Sequence, residues 1–265
     1  MTAAVGYARR GALGVICLER PEALNALTYD MIAEIERRAR DAEKDPDVRA
    51  LCITGAGRGF CAGIDMSVLT AHTKGKAPVR AAAASNPALF GYLREISKPV
   101  IAAVNGVGAG GGFVLAMMCD LRFMAQDAYL TTVFSRRGLI AEHGTSWLLP
   151  RMIGLNRALD LLWSSRKVDA NEALRLGLAD RVAPADELID MVEDYVRELA
   201  HVSPRSLAVI KNQLNRHLEL PFREAAVESD RLMNEALATS DAAEGAADFL
   251  DRRAPRFAPW TGETS

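Results

Sequence analysis

The sequence lacks metal-ligand motifs, long apolar runs and a marked excess of charge of either sign. Its four cysteines (Cys17, Cys52, Cys61, Cys119) form no CxxC pair, and its four histidines (His72, His143, His201, His217) are scattered. We therefore expect no metal site. No stretch reaches the about 18 apolar residues of a membrane span, and residues 1–20 contain no apolar core of a secretion signal. These absences predict a cytoplasmic protein with reduced thiols.

The charge balance excludes several classes of partner. The formal net charge is −2, and the basic residues are spread along all 265 positions. We therefore expect neither nucleic acid nor an anionic membrane as a partner. Hydrophobic residues make up 49% of the chain and charged residues 25%, which is typical of a globular enzyme.

Apolar patterning predicts an α/β protein with a helical appendage. The predicted strands are residues 5–9 and 14–18, which form a hairpin, and then 50–54, 100–104, 121–124 and 129–131. A helix follows the N-cap Thr28, with Met31, Ile35, Ala39 and Ala42 on one face. Beyond residue 186, helical spacing dominates, with helices beginning near Pro204, Phe222 and Ser240. We divide the chain into a core, residues 1–202, and a C-terminal helical region, residues 203–265.

Two glycine-rich segments, residues 55–65 and 105–112, each follow a predicted buried strand. Glycine permits positive φ and lets a ligand approach main-chain N–H groups. Gly106, Gly108 and Gly111 also satisfy GxGxxG, but a dinucleotide-binding motif belongs in the first strand–helix turn, with an acidic residue ending the next strand. Here the motif follows 100 residues of chain, so we favour another ligand. Simple tight turns are the alternative.

Several motifs occur in the order typical of the enoyl-CoA hydratase/isomerase (crotonase) family, which the chain resembles from about residue 5 to its end. They are RPEALNAL at 20–27, GFCAGID at 59–65, KPVIAAVNG at 98–106, GGG at 110–112, MMCD at 117–120 and FLDRR at 249–253. The resemblance implies an α/β crotonase-like spiral of ββα units, with a C-terminal helical region that forms a homotrimer or a dimer of trimers. It also implies an acyl-CoA thioester as substrate, with no further cofactor.

The same resemblance implies the binding residues. The N–H groups of Ile64 and Gly111 would form an oxyanion hole, which stabilises the negative charge that develops on a thioester oxygen. The residues implied to contact coenzyme A are Ala23, Leu24, Ala26, Ala62, Gly63, Ile64, Asp65, Phe249 and Arg252. For Asp65 and for Asp120 we also expect a structural role. Residues 67–95, which lead into a helix, would border the acyl pocket.

The catalytic positions depart from the hydratase pattern. Val114 and Phe134 stand where hydratases carry their two glutamates, and neither can accept a proton. Residues 137–151 resemble a segment of Δ3,Δ2-enoyl-CoA isomerases and of the phenylacetate-pathway isomerases, which carry a lone acid at the position of Glu142. One carboxylate suffices to move a proton between two carbons, so the sequence favours an isomerase.

Other interpretations of Glu142 stay open. In one of them, Glu142 is a solvent-exposed acid in a loop, where its charge favours the N-terminus of the following helix, and His143 is a structural hydrogen-bond donor. In another, Glu142 and His143 together activate water for enoyl-CoA hydration or acyl-CoA hydrolysis. A third is a non-catalytic protein that binds CoA thioesters. Cys61 has no neighbouring base in its motif, so we expect no nucleophilic role for it.

Overall fold

The computed structural model describes residues 4–66, 70 and 88–260. Their strands are β1 (Val5–Arg10), β2 (Leu13–Leu18), β3 (Ala50–Gly55), β4 (Gly59–Cys61), β5 (Val100–Val104), β6 (Val107–Ala109), β7 (Leu121–Ala125), β8 (Tyr129–Thr131), β9 (Val168–Asp169) and β10 (Arg181–Ala183). Their α-helices are α1 (Tyr29–Lys44), α2 (Gly111–Met118), α3 (Thr145–Ile153), α4 (Leu155–Ser164), α5 (Ala170–Leu176), α6 (Leu188–Glu198), α7 (Pro204–His217), α8 (Phe222–Leu237) and α9 (Ser240–Asp251).

From β3 to β8, consecutive strands alternate between two sheets. The larger sheet has the order β1-β2-β3-β5-β7-β10 and the smaller one β4-β6-β8-β9. Thus β3, β5 and β7 lie side by side in parallel, and each is followed within three residues by a short strand of the smaller sheet. Every residue of β3 and β5 is buried, as the continuous apolar runs predict for strands covered on both faces. The two glycine-rich segments therefore begin where the chain crosses between sheets.

The predicted opening elements are confirmed. Strands β1 and β2 pair antiparallel with Arg10 opposite Leu13, and Gly11 takes the positive φ of +60° at the turn. The side chain of Thr28 caps α1 by accepting a hydrogen bond from Met31 N at 3.3 Å. The predicted apolar face of α1 is buried. These elements depend on local pattern, which is why the sequence predicts them well.

The mixed α/β fold class and the helical C-terminal end are also confirmed. Helix α7 buries only Ala208, and α8 and α9 bury none of their residues. Many large apolar side chains of these helices and of the C-cap of α7 are exposed, among them Ile210, Leu214, Leu218, Phe222, Val227, Met233, Leu237, Phe249 and Leu250. The boundary between residues 202 and 203 stays a prediction. Within the described ranges, each helix is too short or too polar to span a bilayer.

Most of the predicted segment 67–95 lies outside the described residues. Its last part does not form an α-helix: the described end is a 3-10 helix, Gly91–Arg94. This turn follows the buried Leu89 and Phe90, which pack into the core just before β5.

A partly buried ion pair ties α7 to the core. Lys211 Nζ donates hydrogen bonds to Leu93 O at 3.0 Å, Lys98 O at 3.2 Å and Asp120 Oδ2 at 2.7 Å. Asp120 Oδ2 also accepts a hydrogen bond from Val100 N at 2.7 Å. Burial raises the pKa of Asp120, while Lys211 acts in the opposite direction. The structural role expected for Asp120 agrees with these contacts.

Replacing Lys211 with methionine should lower the free energy of unfolding by about 3 kcal/mol. The substitution keeps the aliphatic volume but leaves the Asp120 carboxylate and two carbonyl oxygens without their cation. Breaking a fully buried pair costs about 3–5 kcal/mol, and the partial exposure of this pair places the loss at the lower end of that range. Urea unfolding followed by circular dichroism measures the change. The exposed Lys44, changed in the same way, should have little effect, and equal stability of the two variants would contradict the prediction.

Candidate active site

Two asparagine side chains hold the first glycine-rich segment. Asn25 is fully buried; its Nδ2 donates to Ala56 O at 2.9 Å and to Gly59 O at 2.7 Å, while its Oδ1 accepts from Arg20 N at 2.9 Å. Asn105 Nδ2 donates to Gly55 O at 2.8 Å, and its Oδ1 accepts from Gly55 N at 3.1 Å. The site residues predicted from the sequence include neither asparagine. Both occur in the motifs at residues 20–27 and 98–106, but a motif does not reveal a hydrogen-bond partner.

Asn25 should matter greatly for stability. It has a φ of +58°, and asparagine adopts this left-handed conformation more readily than other side-chain-bearing residues. Replacing Asn25 with alanine adds backbone strain and leaves buried carbonyl groups without donors, at a cost of about 3 kcal/mol. Thermal unfolding measures the loss, and the exposed Asn171→Ala should cause none. If Asn25→Ala unfolds at the same temperature as the parent protein, the hydrogen bonds of Asn25 make no important contribution to stability.

Most residues implied to bind coenzyme A lie together. Ala62 N donates to Leu24 O at 2.9 Å, Leu27 N to Gly63 O at 2.7 Å, and Asp65 N to Leu27 O at 2.9 Å. These bonds join the segment 23–27 to the segment 62–65 side by side. The backbone groups of two adjacent, hydrogen-bonded segments thus include Ala23, Leu24, Ala26, Ala62, Gly63, Ile64 and Asp65.

Asp65 also has the expected structural role. Its Oδ2 accepts a hydrogen bond from Arg20 Nη1 at 2.9 Å, and the same nitrogen donates to Ala26 O at 2.7 Å. The guanidinium of Arg20 therefore links the segments 23–27 and 62–65 through a side-chain contact, in addition to the backbone hydrogen bonds. The backbone N–H of Arg20 donates the hydrogen bond to Asn25 Oδ1. Arg20 therefore belongs to the same hydrogen-bond network as Asn25.

The two remaining residues implied to bind coenzyme A lie elsewhere. Phe249 is 82% exposed on α9, and Arg252 ends that helix with a positive φ of +52°. The main packing partner of α9 is α8. The structure of this chain therefore does not join Phe249 and Arg252 to the segments 23–27 and 62–65.

Ile64 and Gly111 are neighbours across the two glycine-rich segments. A methyl group built on Gly111 would lie 3.5 Å from Ile64 N, and one built on Gly63 would lie 3.2 Å from Gly111 N. Gly63 has a φ of +100°, which strains any residue with a Cβ atom. Among the described residues, neither Ile64 N nor Gly111 N donates a hydrogen bond to a backbone or side-chain acceptor. Two adjacent amides are thus available to a ligand.

The start of α2 approaches the other glycine-rich segment closely. A methyl group on Gly112 would lie 2.1 Å from Cys61 O, so only glycine allows this packing. Gly111 is the first residue of α2, where an N–H has no partner within the helix. The helix dipole adds partial positive charge at the same place. The first turn of α2 therefore suits a developing negative charge.

Backbone strain is also present beside Gly110, the residue that precedes α2. Val133 has a φ of +51°, which for a β-branched residue costs about 1–3 kcal/mol. Gly110 N donates to Thr131 O at 3.1 Å, and a methyl group on Gly110 would lie 3.2 Å from Val133 Cγ2. Such strain persists only where the surroundings hold it and is concentrated at functional sites.

The two hydratase positions are occupied by packed apolar side chains. Val114 lies one turn after Gly111 on α2 and is fully buried, and Phe134 follows the strained Val133 and is 2% exposed. Both belong to the hydrophobic core. Neither position provides a proton acceptor.

Glu142 and His143 lie in a turn that leads into α3. Glu142 Oε2 and His143 Nε2 are 3.7 Å apart, and their side chains are 34% and 28% exposed. A methyl group on Gly144 would lie 3.3 Å from Met118 Cε, at the last residue of α2. The turn that carries Glu142 therefore packs against the helix whose first residue is Gly111.

The described residues offer little for metal or thiol chemistry. They contain no group of three or more histidine, cysteine, aspartate or glutamate side chains arranged to hold a metal ion. Burial raises the pKa of the Cys61 thiol to about 12, which keeps it protonated near neutral pH. A thiol in that state is a poor nucleophile.

Comparison with known proteins gives a consistent result. A model of the family described as enoyl-CoA hydratase/isomerase matches residues 8–259. The chain is 37% identical over 245 residues to a protein of Mycobacterium bovis named as a probable enoyl-CoA hydratase, covering 92% of this chain and 94% of that protein. It is 34% identical over 257 residues to the 1,2-epoxyphenylacetyl-CoA isomerase of Escherichia coli, covering 96% and 97%.

Solved structures show the same similarity. A crystal structure of an enoyl-CoA hydratase from Polaromonas sp. JS666 superposes with a TM-score of 0.89 at 30% identity, covering 96% of this chain and 99% of that one. An enoyl-CoA hydratase subunit from Geobacillus kaustophilus superposes with a TM-score of 0.87 at 33% identity, covering 96% and 97%. The predicted crotonase-like fold is confirmed over nearly the whole length.

Proposed function

The chain belongs to the enoyl-CoA hydratase/isomerase family, and from this premise we propose that it catalyses Δ3 to Δ2 isomerisation of an enoyl-CoA thioester. The observation that carries the proposal is the pair of buried apolar residues, Val114 and Phe134, at the hydratase positions. Glu142 is then the acid group that the resemblance leaves for proton transfer. Its turn packs on α2, the helix that begins at Gly111.

In the proposed reaction the thioester oxygen accepts hydrogen bonds from Ile64 N and Gly111 N. Glu142 removes a proton from C2, and the electrons of the C–H bond form a dienolate whose negative charge lies largely on that oxygen. Glu142 then returns the proton to C4, so that the double bond moves from C3–C4 to C2–C3. Two amide donors stabilise the dienolate by about 3 kcal/mol each. The reaction is redox-neutral and needs no redox cofactor, and in the proposal the two amides polarise the thioester, so that no metal is needed.

Coenzyme A would contact the surface formed by the segments 23–27 and 62–65. Main-chain groups dominate there, which suits the adenine and the amide-rich pantetheine arm of coenzyme A. The side chains of Phe249 and Arg252, at the end of a helix whose main packing partner is α8, would take part if they approached from another copy of the chain.

We also propose that the chain forms a homotrimer or a dimer of trimers. The support is the large set of exposed apolar side chains on α7, α8 and α9, since contiguous exposed apolar surface favours association. Light scattering coupled to size-exclusion chromatography measures the mass directly. A monomer at micromolar concentration would contradict this part of the proposal.

Assays with pairs of substrates test the activity. We expect 3-enoyl-CoA to be converted to 2-enoyl-CoA, with at least about tenfold lower kcat/KM for hydration of crotonyl-CoA. Mass spectrometry separates the isomer from the hydrated product, which is 18 Da heavier, and free thiol detection reports hydrolysis. Rapid hydration of crotonyl-CoA without isomerisation would contradict the proposal.

Hydration or hydrolysis is the second candidate, because the 3.7 Å between Glu142 and His143 suits a pair that activates water. In that case His143→Gln would abolish the hydrated or hydrolysed product, while an isomerase would keep most of its activity. A non-catalytic CoA-binding protein would bind coenzyme A in calorimetry and turn over none of these thioesters.

A further inference from the structure

The backbone carbonyl of Glu142 accepts two hydrogen bonds from one residue. Thr145 N donates to Glu142 O at 3.1 Å, and Thr145 Oγ1 donates to the same oxygen at 2.6 Å. Thr145 is fully buried. The buried Thr145 hydroxyl donates to the main chain of Glu142, the proposed catalytic residue. This bond restricts the position of Glu142.

The backbone between these residues needs such a restraint. His143 has a φ of +53°, and Gly144 a φ of +81° with a ψ of 0°. Two successive residues at positive φ are typical of a type I′ turn, with Glu142 first and Thr145 last. Glycine enters this conformation freely, but histidine does so at a cost, although it is among the more tolerant side chains. The two bonds to Glu142 O close the turn and offset that cost.

The anchor of the turn is a helix that packs on α2. Thr145 is the first residue of α3, and α3 packs against α2. A methyl group on Gly144 would lie 3.3 Å from Met118 Cε, so the turn passes close to the end of α2. The path from Thr145 through α3 and α2 therefore connects the turn to Gly111 at the opposite end of α2.

From these contacts we infer that Thr145 is a positioning residue, whose hydroxyl holds Glu142 in the place from which its carboxylate reaches the substrate. This inference rests on the proposed function, since it assigns no chemistry to Thr145 itself. Displacement of a reacting group by about 1 Å can lower a rate by about 100-fold. The hydroxyl therefore influences kcat through geometry, with little effect on the binding of coenzyme A.

Four single variants test the inference with 3-enoyl-CoA. Thr145→Val keeps the shape and the backbone N–H bond but removes the hydroxyl, so kcat should fall about tenfold while KM changes less than twofold. Thr145→Ser and Thr145→Ala differ from each other only by the hydroxyl; the serine variant should stay within about threefold of the parent and the alanine variant should not. The exposed neighbour Ser146, changed to alanine, controls for loss of a hydroxyl and should leave kcat unchanged.

Thermal unfolding separates positioning from structure. Valine has nearly the shape of threonine and is readily buried, so the melting temperature of Thr145→Val should stay within a few degrees of the parent while kcat falls. If Thr145→Val unfolds, the serine and alanine pair still decides the question. Parental kcat in both the valine and the alanine variants, or equal loss in the serine and alanine variants, would overturn the inference.

A double-mutant cycle with Glu142→Gln shows whether Thr145 acts through Glu142. If it does, adding Thr145→Val to Glu142→Gln causes no further loss of kcat; a full additional tenfold loss would overturn the positioning role. Full activity of Glu142→Gln would overturn the proposed function and this inference together. Loss of activity in Glu142→Gln, with parental kcat in Thr145→Val, would overturn the inference and leave the proposed function standing.

Discussion

Replacing Glu142 with glutamine should lower kcat for 3-enoyl-CoA isomerisation by about 1000-fold. Glutamine is nearly isosteric but cannot take up the proton, and general acid–base catalysis by one positioned group contributes about 100- to 10,000-fold. In the proposed mechanism both proton transfers use this side chain, because Val114 and Phe134 offer no substitute. Steady-state kinetics measures the loss.

Binding and folding should be nearly unaffected in this variant. The Glu142 side chain is 34% exposed, and the turn depends on the backbone carbonyl rather than on the carboxylate. Calorimetry should therefore give a similar Kd for coenzyme A, and the melting temperature should not change. Glu187→Gln, at an exposed position before α6, is the matched control. Activity of Glu142→Gln within tenfold of the parent would remove Glu142 from the mechanism.

Replacing Gly111 with proline should lower kcat by at least about 100-fold, whereas replacing it with alanine should cost much less. Proline has no N–H, so the variant loses one of the two proposed donors to the thioester oxygen, and loss of one such donor costs about 100- to 1000-fold. Position 111 is the first residue of α2, where proline is tolerated because that N–H makes no bond within the helix.

The alanine variant controls for the added Cβ atom. A Cβ at position 111 would lie 3.4 Å from Ile64 Cδ1, the mobile end of a side chain, so Gly111→Ala should fold and keep its N–H. Circular dichroism and thermal unfolding check that both variants keep the fold. Equal activity of the proline and alanine variants, both folded, would show that Gly111 N does not bind the reacting oxygen.

Some features of the candidate site can be predicted from the sequence and others cannot. The glycine-rich segments are identifiable because close backbone approach excludes a Cβ atom, and at Gly112 a Cβ would lie 2.1 Å from Cys61 O. The argument against a hydratase mechanism likewise comes from residue type, since Val114 and Phe134, at the two hydratase positions, cannot exchange protons in any fold. The roles of Ile64, Gly111, Glu142 and His143 remain proposals. The hydrogen bonds of Asn25 and Thr145 are findings of the structure.

What the sequence alone determined is part of the set of elements: the hairpin, the capped α1 with its buried face, the buried strands β3 and β5, and the helical C-terminal end. These depend on the spacing of apolar residues, on Thr28 and on glycine, which act within a few residues of the chain. Only the tertiary structure decided which distant groups meet, such as Lys211 with Asp120, 91 positions apart, or Ile64 with Gly111. Such pairs depend on the stacking of the two sheets and the packing of helices on them, and no local pattern records the partner of a hydrogen bond.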